Sequence, residues 1–284
     1  MKLTQHRRDE QAELWNGTAG RAWVEAQELL DGMFEPFERL LVDEVAARGG
    51  PVLDVGCGTG GTTLSMARRL GPLASCTGID VSAPMIEVAR TRASDEGSTA
   101  RFILADAQEH AFEPASYRTV VSRFGTMFFA DPVRAFANLH FAATDDAGLL
   151  LIAWRSASEN PFMTAAERAA EPILPGLAPR DPDAPGQFAF ADRRRVADIL
   201  EASDWKDIEI QPLDVECTIP ADQIGYYVSR LGPVGRALAD ADTGKRSQVI
   251  EAVRAAFEPY VHGAQVRFNA ACWRIQARAT SAKG

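Results

Sequence analysis

Apolar positions along the chain follow two rhythms. Between residues 8 and 47, Leu14, Trp23, Ala26, Leu30, Phe34, Phe37, Leu41 and Val45 recur at helical spacing, which predicts helices with one face turned to a core. Trp15-Asn16-Gly17 with Gly20 marks a break, and Asp31-Gly32 marks a second. After Gly49-Gly50-Pro51, short apolar runs take over. They predict strands at 52–55, 75–79, 101–104, 117–122, 149–154, 208–219 and 265–279. Helical patterns separate them at 62–70, from Ser82 onward, from Asp131 onward and at 193–202. A further insert of two helices is expected at 221–231 and 246–258, where Val249, Ile250, Val253 and Phe257 form one stripe. Strands that alternate with helices in this way predict an α/β fold.

Capping and turn residues sharpen these bounds. Ser82 is a good N-cap with Pro84 in the first turn, Asp131-Pro132 opens another helix, and Asp192 caps the helix at 193–202. Asp145-Asp146-Ala147-Gly148 reads as the turn into the fifth strand. Pro212 lacks the N–H that a central strand requires, so the sixth strand is expected at an edge or with a bulge. Five prolines between 172 and 186 block regular structure and predict a long surface loop near the site. The chain divides accordingly into a helical cap at 1–48, a ligand-binding core at 49–155, a proline-rich loop at 156–187, and a segment at 188–284. The last completes the sheet around an insert at about 221–262.

Candidate chemistry centres on Val52-Leu53-Asp54-Val55-Gly56-Cys57-Gly58-Thr59-Gly60-Gly61, which reads as strand, tight turn and helix. The glycines let the backbone take positive φ and let a ligand approach, and the helix start presents unpaired N–H groups. The spacing fits G-x-G-x-x-G, the dinucleotide fingerprint. Asp54 argues otherwise: an acid at the mouth of the strand repels a pyrophosphate and suits a ligand ammonium, directly or through a water. Asp80 ends the next strand, 26 residues later, where its carboxylate can accept hydrogen bonds from two ribose hydroxyls of either kind of cofactor.

Residues 52–60, with the motifs that follow in order, resemble the first motif and its successors in the class I S-adenosylmethionine-dependent methyltransferases. The series is similar to the small-molecule, ubiquinone/menaquinone-biosynthesis type. The resemblance implies a Rossmann-like, doubly wound sheet of seven strands with an antiparallel last strand, an N-terminal helical cap and a helical insert before that strand. It implies S-adenosyl-L-methionine as cofactor. Gly56, Cys57 and Gly58 would then approach it, Val81 and Met85 would pack on the adenine, and Asp106 would accept from the exocyclic amine while the Ala107 N–H donates to a ring nitrogen. Ser122 and Arg123 would sit at the strand end where methyl transfer occurs, binding the methionine part of the cofactor through backbone and lending side chains to the acceptor pocket. Trp15, in a Trp-Asn-Gly…Gly…Trp opening, would overhang the ligand with Trp23 and Gln27. Read from the residues alone, Met85 is a core methionine, Asp106 caps a short helix at 107–110, and most of the cap stripe packs on the core. The Asn/Asp-Pro-Pro-Tyr motif common to DNA and protein amide N-methyltransferases is missing after strand four, which counts against a nucleobase amine as acceptor.

Composition narrows the classes. A net charge of −9 and a pI near 5.1 argue against a nucleic-acid partner held by phosphate contacts. No apolar run approaches the ~18 residues of a membrane span, and the N-terminus lacks an apolar signal segment. Cys57, Cys76, Cys217 and Cys272 are scattered without C-x-x-C spacing, so neither a metal site nor a disulfide is expected, and the default setting is reducing and cytoplasmic.

Methyl transfer from a sulfonium is an in-line displacement on an activated donor, so a general base is needed only if the acceptor must lose a proton. Of the four histidines, His6, His110 and His140 read as terminal, surface and packed residues. His262, at the end of the insert, is the weak candidate for a base. Tyr226, Tyr227 and Tyr260 are weak candidates of the same kind, since a tyrosine on an insert helix more often packs. The leading expectation is a small-molecule methyltransferase of unassigned acceptor, methylated atom and oligomeric state. An NAD(P)-dependent oxidoreductase and a non-catalytic S-adenosylmethionine-binding protein stay open beside it. No Tyr-x-x-x-Lys supports the former, and the latter keeps every cofactor position.

Overall fold

The computed structural model describes residues 2–174, 177, 181, 184–239 and 241–280. Three helices come first: α1 (Lys2–Asn16), α2 (Thr18–Glu25) and α3 (Gln27–Arg48). The chain breaks at Gly17 as expected, but not at Asp31-Gly32, because α3 runs through both. A Cβ on Gly32 would meet nothing within 4 Å. Asp31 accepts from Gln27 Nε2 at 3.2 Å and pairs with Arg92 at 3.0 Å, so neither residue disturbs the helix. Leu30, Phe34, Phe37, Leu41 and Val45 are buried along one face. At about 1.5–3 kcal/mol for each large side chain, that stripe holds α3 against the sheet.

The sheet then builds by alternation. In order come β1 (Val52–Val55), α4 (Gly61–Leu70), β2 (Cys76–Asp80), α5 (Ala83–Asp95), β3 (Arg101–Leu104), β4 (Tyr117–Arg123), α6 (Pro132–Ala142) and β5 (Ala143–Trp154). There follow α7 (Pro161–Ala170), α8 (Arg193–Ala202), β6 (Trp205–Pro220), α9 (Ile224–Arg230), α10 (Gly232–Ala239), α11 (Thr243–Phe257), β7 (Val261–His262) and β8 (Gln265–Ala279). The strand order is β3-β2-β1-β4-β5-β8-β6, a doubly wound sheet, with the short β7 paired to β8 as an eighth strand. Strands β1 to β5 are parallel, and β8 runs antiparallel to both β5 and β6. The order reverses between β1 and β4, so a crevice opens beyond their C-terminal ends.

Several boundaries moved for physical reasons. β6 lies at the sheet edge, as Pro212 requires, but the irregularity in its ladder falls between Lys206 and Glu209. β5 begins at Ala143 instead of Leu149: the expected turn survives only as an irregularity in the β4–β5 ladder and a positive φ of 62° at Asp146. The stretch read as loop contains α7, and of its five prolines Pro175, Pro179 and Pro182 lie outside the described residues. Among the described residues the insert has three α-helices, because Gly232, Pro233 and Gly235 hid α10. Where β8 runs past the end of β5, Asn160 stands in for a strand. Its Nδ2 donates to Ala271 O at 2.9 Å, and its Oδ1 accepts from Ala271 N at 2.9 Å.

Candidate active site

The loop after β1 is shaped by close packing. Gly56 has φ 68°, and a Cβ there would stand 2.6 Å from Gly125 Cα, where the chain leaves β4. Only glycine allows that approach. Asp80, at the tip of β2, braces the loop: its Oδ2 accepts from Gly58 N and its Oδ1 from Ser82 N, each at 2.8 Å. Burial raises the Asp80 pKa, and these bonds oppose the shift. Ser82 precedes α5, but its hydroxyl does not cap the helix. It donates to Trp15 O at 2.7 Å, while Asn16 Oδ1 accepts from Ala83 N at 2.8 Å and caps from outside. Asp106 does make a local cap, accepting from Gln108 N at 2.9 Å, but the following residues form a single turn and no helix.

A cavity of about 650 Å³ lies over the strand ends. Trp15, Gly56, Gly58, Asp80, Val81, Met85, Asp106, Ala107 and Arg123 all line it. Trp15 meets Trp23 at 6.0 Å and Phe128 at 5.0 Å, both edge to face, so it roofs the cavity from α1. Gln27 does not line it; its side chain is turned to Asp31. Three of the expected site residues stand behind the wall. Asp54 is 1% exposed and accepts from Thr63 Oγ1 at 2.6 Å; burial raises its pKa to about 6. The Cys57 side chain is turned to β2, where a Cβ on Gly78 would meet its Sγ at 2.7 Å. Ser122 Oγ donates to Val55 O at 2.7 Å and accepts from Gly125 N at 3.2 Å, tying the ends of β1 and β4 together.

Residues that the pattern did not single out complete the wall. Arg8 and Gln11 join Trp15 on one face of α1; Arg8 pairs with Glu109 at 2.8 Å, and the Gln11 Oε1 atom is buried without a partner. At the other end, Phe124 stacks on Trp154 at 4.7 Å and meets Phe34 at 5.2 Å. Phe124 has φ 65°, a conformation that costs a residue on the order of 1–3 kcal/mol and puts its ring into this cluster. From the insert, Tyr227 reaches the cavity, its hydroxyl 3.7 Å from Met163 Sδ. His262 is a correction to expectation. It is exposed in the β7–β8 hairpin and does not line the cavity, because the chain turns outward at Gly263. Tyr226 donates to Glu25 O at 2.9 Å, and Tyr260 packs on Phe162.

At the start of α4, where a dinucleotide would lay its pyrophosphate, α3 supplies an acid. A Cβ on Gly61 would stand 2.9 Å from Asp31 Oδ1. The carboxylate that reaches this helix start is therefore Asp31, already paired with Arg92, while Asp54 is sealed against Thr63. Thirty residues separate Asp31 from Gly61 in the chain, so no local pattern could reveal it.

Residues 52–144 match a family model described as a methyltransferase domain. Over 100 residues the chain is 35% identical to a nocamycin O-methyltransferase of Saccharothrix syringae, covering 34% of this chain and 36% of that protein. Over 124 residues it is 28% identical to a ubiquinone/menaquinone biosynthesis C-methyltransferase of Citrifermentans bemidjiense, covering 43% and 53%. The chain thus spans between about a third and a half of these curated relatives. The YcgJ protein of Bacillus subtilis shares the fold, with a TM-score of 0.55 at 18% identity over 86% of this chain and 98% of that one.

Proposed function

We propose that this chain transfers the methyl group of S-adenosylmethionine to a small organic molecule. The observation that carries the reading is one cavity that joins the glycine loop and its acids to an aromatic chamber. The residues at the first end suit the cofactor. Asp80 keeps free lone pairs for ribose hydroxyls, Asp106 and the partnerless Gln11 Oε1 offer acceptors to an amine, and Val81 and Met85 give an apolar seat to a flat ring. The bound cofactor supplies an activated methyl group on a sulfonium. The chain's own part is to orient the two reactants and keep water out, which the Trp15–Trp23–Phe128 roof suits.

The names of the relatives, an O-methyltransferase for nocamycin and a C-methyltransferase of quinone biosynthesis, make oxygen and carbon acceptors the first to test. The net charge of −9 supports a chain without a nucleic-acid partner, and four buried cysteines in no disulfide suit a reducing cytoplasm. No helix among the described residues is long and apolar enough to cross a membrane. The dinucleotide reading is disfavoured by the match of residues 52–144 to a methyltransferase domain, since Asp31 at the start of α4 is already paired with Arg92.

Calorimetric titration with S-adenosylhomocysteine, NAD and NADP tests the proposal. Binding of the first alone is expected. Asp80→Asn should weaken that binding about tenfold or more while the protein still unfolds cooperatively. Binding of a nicotinamide cofactor instead would return the glycine loop to a phosphate role and end the methyltransferase reading.

A further inference from the structure

The far end of the cavity is almost wholly apolar. Leu30, Met33, Phe34, Phe124, Trp154 and Met163 line it. Arg123 at the end of β4 and Tyr227 on α9 stand beside that surface, and Gln187, Arg230 and Arg236 also line the cavity. The Arg123 guanidinium lies 5.7 Å from the Phe34 ring centre, and its one hydrogen bond is a long contact of 3.4 Å to Phe34 O. No carboxylate pairs with it among the described residues. Asp54 is in electrostatic reach but is engaged by Thr63 behind the wall and makes no ion pair with Arg123. The nearby Cys217 thiol is held neutral, its pKa pushed up to about 12 by burial. Burial pushes the Tyr227 phenol upward as well, so that hydroxyl is a donor. A half-buried guanidinium against aromatic faces with no anion beside it is a site that an incoming anion would complete.

The same wall lacks a base. Among the described residues it carries no histidine and no glutamate, and its two acids, Asp80 and Asp106, stand at the glycine-loop end. An acceptor that had to give up a proton here would find nothing to take it, whereas one already ionised needs no base.

Resting on the methyltransferase reading, we infer that the acceptor is an apolar, ring-bearing molecule that enters as an oxygen anion, a carboxylate or an acidic phenol or enol, and that Arg123 holds that anion with Tyr227 as a second donor. A lone pair of the anionic oxygen forms the new O–CH3 bond as the S–CH3 bond breaks, and the breaking bond's electron pair stays on sulfur. The negative charge of the oxygen and the positive charge of the sulfonium cancel, and no proton moves.

The test uses the full chain saturated with S-adenosylhomocysteine, titrated with 2-naphthoate and with 2-naphthamide, which share a ring system and differ in charge. Naphthoate is expected to bind about tenfold tighter or more. Arg123→Gln should erase that preference while leaving S-adenosylhomocysteine affinity and the melting temperature near the parent's, and Arg123→Lys should keep part of it. Equal affinities for the two probes, including no measurable binding of either, overturn the inference. So does an Arg123→Gln variant that keeps the preference but loses S-adenosylhomocysteine affinity, since Arg123 would then serve the cofactor. If the parent binds no S-adenosylhomocysteine, the proposed function itself falls, and that is seen in the first titration before either probe is added.

Discussion

Asp54 and Asp80 end neighbouring strands, and their surroundings give them different tasks. Asp80 faces the cavity with both oxygens braced by backbone N–H groups, while Asp54 is sealed beneath the loop against Thr63. Desolvation raises the Asp54 pKa from 3.8 to about 6. The folded protein therefore binds this proton more tightly than the unfolded chain does. The site's favourable contribution is present in full below about pH 4 and is lost as pH rises through about 6, a swing of at most about 3 kcal/mol. Asp54→Asn should accordingly gain melting temperature relative to the parent at pH 7.5 compared with pH 4.5. A gap that stays constant with pH would mean that no buried charge is carried there. The two acids look alike in the sequence. Side-chain alternation cannot separate them, because all four residues of β1 are buried on both faces of a central strand.

At the scale of elements, two asparagines hold segments that are far apart in the chain. Asn16 joins the end of α1 to the start of α5, donating to Val81 O at 3.0 Å and accepting from Ala83 N at 2.8 Å. Asn16→Ala should cost about 1 kcal/mol and raise amide exchange in the first turn of α5. Unchanged exchange there would remove Asn16 as the cap. Asn160 is fully buried, and Asn160→Ala strands the N–H of Ala271, at about 1–3 kcal/mol, while Ala271 O keeps the Arg155 N–H at 3.0 Å. A urea midpoint shifted by no more than an exposed asparagine would shift contradicts that account. The sequence was right that a helix starts at Ser82 and wrong about which side chain caps it. The helix start is a local signal, whereas the cap comes from a helix 66 residues earlier, counting from Asn16 to Ser82. α10 was missed for the opposite reason: its glycines and proline are local helix breakers, and packing overrides them.

For the whole molecule, the cavity is walled by four separated parts of the chain. These are the cap helices, the strand ends, the stretch that supplies Met163, Leu177 and residues 185–187, and the insert, with Arg230 on α9 pairing to Glu25 on α2 at 2.6 Å across the rim. A ligand that touches cap, strand ends and insert should stabilise them together. S-adenosylhomocysteine at a hundredfold excess over its Kd is expected to add about 2.7 kcal/mol. The gain in amide protection should appear first in α1, α2 and residues 224–239. Protection gained only in the sheet would mean that the cap and insert do not close over the site.

By itself the sequence determined the alternation of strands and helices, the glycine turn after β1 and the acids at the strand tips. All of these are signals carried within a few residues of chain: a period of two or 3.6, a turn residue, a cap. Only the tertiary structure decided which acids face the cavity, that Asp31 and Arg92 pair beside the start of α4, that Phe124 and Trp154 stack into a chamber, and that Arg123 stands there without an ion-pair partner among the described residues. Those properties depend on burial and on neighbours supplied by other segments, and no local pattern encodes them.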